Sequence, residues 1–177
     1  MAQWIVDPDH SVAAFSVRHM MIANVRGQFN KIAGSIYFDP LNIDNSAVEL
    51  TIDVSCIYTG IQKRDDHLRS PDFFDIDRYP TISFTSTRIN SVDSNNAKVS
   101  GNLTIHGITR QIIVPVEFSV PVKDPFGDGL SIGFTISATI NREDYGIMWN
   151  QPMADNDFMV GRDVHFFLDI EADLGAE

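Results

Sequence analysis

The residues of this chain best suited to chemistry crowd into one run, Thr59 to Asp75 (TGIQKRDDHLRSPDFFD). It gathers Arg64, Arg69, His67 and the carboxylates of Asp65, Asp66, Asp72 and Asp75 beside Ile61, Leu68, Phe73 and Phe74. A histidine close to Asp65 and Asp66 has the makings of an acid–base pair. Arg64 could hold the polar head of a ligand at a pocket mouth, or pair with Asp65 to fix a local geometry. The simpler reading of His67 is a hydrogen-bonded cluster that ties this segment to the rest of the fold, and that reading is preferred. The remaining histidines, His10, His19, His106 and His165, pair at no metal-ligand spacing, and a single Cys56 excludes an intrachain disulfide and a cysteine-rich zinc site. Gly129-Leu130-Ser131-Ile132-Gly133 matches a hydrolase elbow, but it opens an alternating strand where the motif needs a following helix. Asp155-Asn156-Asp157 lacks the glycine and distal Glu of a calcium loop and reads as a solvated turn. Asn102-Leu103-Thr104 matches a glycosylation acceptor by chance.

The polar run must be positioned by something, and its own spacing predicts a helix. Thr59 and Gln62 have capping-box spacing. Ile61 and Leu68 share one helical face, flanked by Arg64 and Asp65. Ser70-Pro71 predicts a second helical start, and Pro80 ends the passage. Nearly everything else alternates. Strands are expected over Ser11–His19, Val25–Phe29, Ile32–Phe38, Ala47–Tyr58, from Ile82, over Lys98–Ile105, Thr109–Val120, Ser131–Asn141 and Asp163–Asp173. Val48, Leu50, Ile52, Val54 and Cys56 against Glu49, Thr51, Asp53 and Ser55 is the clearest example. Pro115 and Pro121 place an edge, a bulge or an opening in the Thr109–Val120 strand. Arg142 to Val160 is a long irregular crossing that holds Met148, Trp149, Met153, Phe158 and Met159. Such a connection suits a lid or binding loop, and methionines suit adaptable apolar surfaces.

These strands each carry one apolar row and one Ser/Thr/Asp row, so a single face needs burial. An all-β antiparallel barrel of about eight strands satisfies that better than a sandwich. Its interior is wide enough for side chains or for one slim ligand. The length of 177 residues fits one domain, 1–177. A net charge of −11 disfavours nucleic acid and anionic membrane as long-range partners. No run approaches the ~20 apolar residues of a membrane span. MAQWIVDPDH has no basic start and no apolar core, so a soluble, cytoplasmic protein is expected, or a periplasmic one if a leader has been removed.

Several segments together resemble the YceI-like family. They are Trp4-x-Val6-Asp7-x-x-His10-Ser11, then Phe15 and Val17-x-His19, Gly27-Gln28-Phe29, and the whole Thr59–Asp75 run. Tyr79-Pro80-x-Ile82-x-Phe84-x-Ser86-Thr87, Leu103 to Thr109 (LTIHGIT) and Asn141-Arg142-x-x-Tyr145-Gly146-Ile147 continue the pattern in order. The resemblance implies a lipocalin-like eight-stranded antiparallel barrel with a short helical insert at about residues 60–76, often a homodimer. It implies a long apolar chain held inside: a polyisoprenoid, a quinone-type lipid or a fatty-acid derivative, with no cofactor required. It assigns no catalytic residue and no metal ligand. The walls of such a tunnel are expected from Phe15, Val17, Phe29, Ile36, Leu50, Ile52, Phe84, Phe134, Ile136, Phe166 and Leu168. Arg64, Leu68, Phe73, Trp149 and Met153 are expected at its mouth. Two other functions stay open. One is an enzyme acting on a polyisoprenoid or quinone precursor through His67, Asp65 and Arg64. The other is a filled barrel serving as a stress or interaction module, with residues 148–159 or the outward Phe167 as its contact surface.

Overall fold

In strand after strand the apolar row turns inward and the hydroxyl and carboxylate row faces out. The structure, a computed structural model, describes residues 2–39, 41–125, 128–153 and 157–175. The strands are β1 (Ala2–Val6), β2 (Val12–His19), β3 (Ala23–Phe29), β4 (Ile32–Phe38), β5 (Ala47–Asp53) and β6 (Thr81–Ser91). They continue as β7 (Asn96–Ile105), β8 (Ile108–Phe118), β9 (Val122–Lys123), β10 (Leu130–Asn141) and β11 (Val160–Leu174). Among the described residues one α-helix, α1 (Gln62–Arg69), interrupts them.

Every pairing is antiparallel, and β11 pairs with both β10 and β1, which closes the sheet. Three of the barrel strands are kinked. β1 and β2 lie end to end along β11, Val6 opposite Ala172 and Val12 opposite Asp169, with the chain bulging between them. β3 and β4 run beside them in the same broken way. β9 continues β8 along β10 past Ser119–Pro121. Counted as continuous strands, the result is a closed eight-stranded antiparallel barrel.

Some boundaries differ from the expectation. β1 was not foreseen, although Trp4 and Val6 are both buried. The expected Ala47–Tyr58 strand ends at Asp53, and Val54–Cys56 forms a 3-10 turn. The Asp53 carboxylate accepts from both the amide and the hydroxyl of Ser55, at 2.9 and 2.6 Å. That local bond competes with the sheet ladder. Both prolines act as anticipated. The β8–β10 ladder stops at Val116, beside Pro115, and Pro121 lies in the break between β8 and β9.

The opening left by Pro115 sets up the site. β8 and β10 pair only from Val116 to Phe118, so their other halves part. A 3-10 turn, Arg142–Tyr145, follows β10 at this opening, and Arg110 of β8 donates to the Asp144 carbonyl at 3.1 Å. Asn141 caps the turn by accepting from the Glu143 amide. Gly146 ends it at φ 73°, the left-handed conformation that glycine adopts without a Cβ penalty.

Candidate ligand cavity

Inside the barrel is a cavity of about 400 Å³, within the ~300–1,000 Å³ of small-molecule pockets. Its walls come from the inward rows. Phe15, Val17, Phe29, Ile36, Leu50, Ile52, Phe84, Phe134, Ile136, Phe166 and Leu168 all line it. On β11 the lining runs from Val160 to Ile170, which at ~3.3 Å per residue and a strand tilt of ~40° spans ~25 Å along the axis. Away from α1 it ends against edge-to-face aromatics: Phe38 lies 5.4 Å from Phe118 and 6.1 Å from Phe134. The described side chains therefore do not fill this barrel.

Two connections close the other end. The first is the α1 segment. Its polar residues bond to one another and to backbone, in a different pattern from the one expected. There is no capping box: the helix starts after Ile61, and no side chain caps it. Thr59 instead gives both its amide and its hydroxyl to the Asp65 carboxylate, which is buried. Arg64 makes no ion pair with Asp65; its Nε donates to the Thr59 hydroxyl at 2.7 Å and an Nη to the Thr59 carbonyl at 2.8 Å. His67 turns away from Asp65 and Asp66 and pairs with Asp72 at 2.8 Å. The arrangement needed for acid–base work by His67, Asp65 and Arg64 is not assembled. Ser70 caps the C-terminus of α1, accepting the Asp72 amide and donating to the His67 carbonyl, and residues 71–74 form turns where a second helix was expected. Ile61 is 53% exposed, so only Leu68 of the expected apolar face reaches the cavity.

The second connection is the crossing from β10 to β11. Trp149 packs from it against the α1 segment, 4.9 Å from the His67 ring and 5.2 Å from Phe73, and all three line the cavity. Arg142 is buried and also lines the cavity. Its Nε donates to the Gly161 carbonyl, one Nη to the Ile147 and Trp149 carbonyls, and the other to Val160. Burial lowers its pKa from the ordinary arginine value, and nearby Glu143 partly offsets this. One guanidinium thus ties both ends of the crossing together. Tyr145, in the same turn, is buried and lines the cavity. Burial, then the Asp144 charge, raises its pKa, so the hydroxyl stays protonated.

Of the expected mouth residues, Arg64, Leu68, Phe73 and Trp149 line the cavity and Met153 does not. The Met153 amide donates to the Asp157 carbonyl and the Met159 amide to the Gln151 carbonyl. Met159, in place of Met153, lines the wall. Asp155 and Asn156 lie outside the described residues. Ser131 of the elbow-like motif opens β10 and bonds to Asp173 at 2.6 Å. Folding also gathers Asp7, His10 and Glu171 with donor atoms within 4.8 Å of one another. Asp7 and His10 already pair there at 2.6 Å, a hydrogen bond that lowers the carboxylate pKa and raises the imidazole's. Arg142 and Tyr145 were not singled out as site residues, although both fall in the Asn141–Ile147 segment.

The YceI-like domain family matches residues 4–172. The chain belongs to that family. A UPF0312 protein of Staphylococcus aureus (strain MSSA476) is 34% identical over 166 residues, covering 94% of each chain. Among solved structures, BcnA of Burkholderia cenocepacia superposes with a TM-score of 0.82 at 24% identity, over 94% of this chain and 98% of BcnA. A polyisoprenoid-binding domain from Saccharophagus degradans superposes with a TM-score of 0.74 at 15% identity, covering 99% of this chain and 100% of that one. These likenesses are to the barrel as a whole, and the cavity of this YceI-like barrel takes shape from its own side chains.

Proposed function

We propose that the protein binds a single long, slender apolar molecule inside the barrel and carries or stores it. The observation that carries this reading is the unfilled cavity, walled by inward apolar rows along ~25 Å of the barrel axis. The polyisoprenoid binding named for the Saccharophagus degradans domain supports the same class of ligand. A polyisoprenoid, a quinone-type tail or a fatty-acid derivative has the right cross-section and polarity. Each buried methylene contributes about 0.8 kcal/mol, so ten of them reach ~8 kcal/mol, the free energy of micromolar binding before ordering costs. Chains of similar width differ by modest increments, so the walls select for width and apolarity more than for exact length.

The test is native mass spectrometry of the purified protein, followed by organic extraction. The expected result is a stoichiometric lipid adduct that leaves on denaturation, or saturable uptake of added long-chain lipid by the empty protein. A clean protein mass with no uptake would overturn the proposal.

A further inference from the structure

The outward face of the barrel carries an interruption that the cavity does not use. On β11 the outward residues read Asp163, His165, Phe167, Asp169, Glu171 and Asp173. The acidic row breaks at His165 and Phe167, and Phe167 is 46% exposed. Strand register carries the break sideways. His165 lies opposite Ser16 of β2, and Ser16 opposite Arg26 of β3. Two residues along, Phe167 lies opposite Ala14, and Ala14 opposite Gln28. The small side chains of Ala14 and Ser16 leave a trough between taller walls, an open cleft of about 660 Å³ that Tyr58 also lines. Arg26 and His165 line it and no described carboxylate does, on a chain of net charge −11. It shares only Ala14 and Phe15 with the lining of the cavity.

Three polar groups line the trough with bonding capacity to spare. Ser16 is 9% exposed. Its hydroxyl makes no hydrogen bond among the described residues, yet it is not one of the enclosed polar atoms, so it is reachable from the trough. Polar groups buried to that degree are satisfied in the great majority of cases, so this one points to something that enters the trough. Arg26 is exposed and has no ion pair or hydrogen bond among the described residues. His165 engages the Thr139 hydroxyl through Nδ1 at 2.6 Å. With Thr139 as donor, the imidazole proton sits on Nε2. Strands lie ~4.8 Å apart, so Arg26 and His165 stand ~10 Å from each other at Cα, one on each side of Ser16. A carboxylate or phosphate fits between them, over the serine hydroxyl.

We infer that this trough is a binding site for a small aromatic anion, a ring that carries a carboxylate or a phosphate ester. Arg26 and His165 receive the anion, with the Ser16 hydroxyl as a third donor. The ring lies over Ala14 against Phe167, ~7 Å further along the strands. Charge complementarity selects the class: the rest of the β11 outward row repels an anion, and the trough offers a free cation and free donors. The site is on the outer wall and does not depend on what the cavity holds.

The experiment titrates phenyl phosphate and benzoate into the full chain and follows backbone amide shifts by two-dimensional NMR. Benzyl alcohol, a ring without charge, and inorganic phosphate, a charge without a ring, are the controls. Both aromatic anions are expected to shift Ser16, Arg26 and Phe167 saturably, at least about tenfold more tightly than either control. Arg26→Met should weaken them about tenfold, and Phe167→Ala about threefold to fivefold. Both variants should melt like the parent, since neither side chain is buried. Ile136→Trp, which fills the cavity, should leave the titration unchanged. Absence of saturable shifts, or equal affinity in Arg26→Met, overturns the proposal. Inorganic phosphate binding as tightly as phenyl phosphate overturns it in favour of an adventitious ion only. Loss of binding in Ile136→Trp overturns it by moving the anion into the barrel. A dimer in sedimentation that Phe167→Ala dissociates would give this face to a second copy of the chain, which also overturns it.

Discussion

The two connections that close the barrel each bring an arginine to the cavity, and they use it differently. On the α1 side, Arg64 sits among Thr59, Asp65, His67 and Asp72, and the hydrogen bonds run within the cluster. On the β10–β11 side, Arg142 holds four backbone carbonyls and stands in the same short turn as a tyrosine hydroxyl with no partner. The first region is far richer in ionisable side chains. The second holds one of the three buried polar atoms left without a partner among the described residues. Density of charge here marks where the chain needs polar bonding to fold.

If Arg142 is the structural pin of its side, Arg142→Met should have the largest effect. It leaves several buried carbonyls without a donor and should cost about 3–5 kcal/mol of stability. Urea denaturation would show it, and a loss below about 1 kcal/mol would break the contrast by making this arginine dispensable. Next is Ile136→Trp, on β10 where it enters the cavity. Filling the space should reduce long-chain binding more than a hundredfold, about 2.8 kcal/mol, in a barrel that still unfolds cooperatively. A folded variant that binds like the parent would remove the cavity from the function. The smallest effect is expected from Arg64→Met. Losing its bonds to Thr59 should cost about 1–2 kcal/mol of stability, with ligand affinity changed less than about threefold. A selective loss of carboxylate-headed chains in that variant would restore Arg64 as a head-group residue and reverse the comparison.

Much of the barrel was legible from alternation. Leu50, Ile52, Phe134, Ile136, Phe166 and Leu168 could be placed inside because a strand sends successive side chains to opposite faces, a rule that needs no knowledge of the partner strand. Pro115 announced an opening because it has no amide to donate. The end-to-end placement of β1 and β2 was less visible, since the break between them is defined only by a common partner, β11. Ile61 was misplaced because the helix starts only after it, so helical spacing does not set the direction of its side chain.

The sequence by itself determined the class of fold, the inward apolar rows and the place of the helical insert, because strand and helix periodicities and proline chemistry are local. Only the tertiary structure decided the bonding of the polar groups. Thr59 competes for Arg64 and Asp65, Asp72 takes His67, and Gly161 and Val160 take Arg142. Hydrogen bonds go to whichever donors and acceptors folding brings within about 3 Å in the right direction. Which groups are left without a partner, among the described residues Trp4 Nε1, His106 Nε2 and the Tyr145 hydroxyl, is settled only once the others have been satisfied.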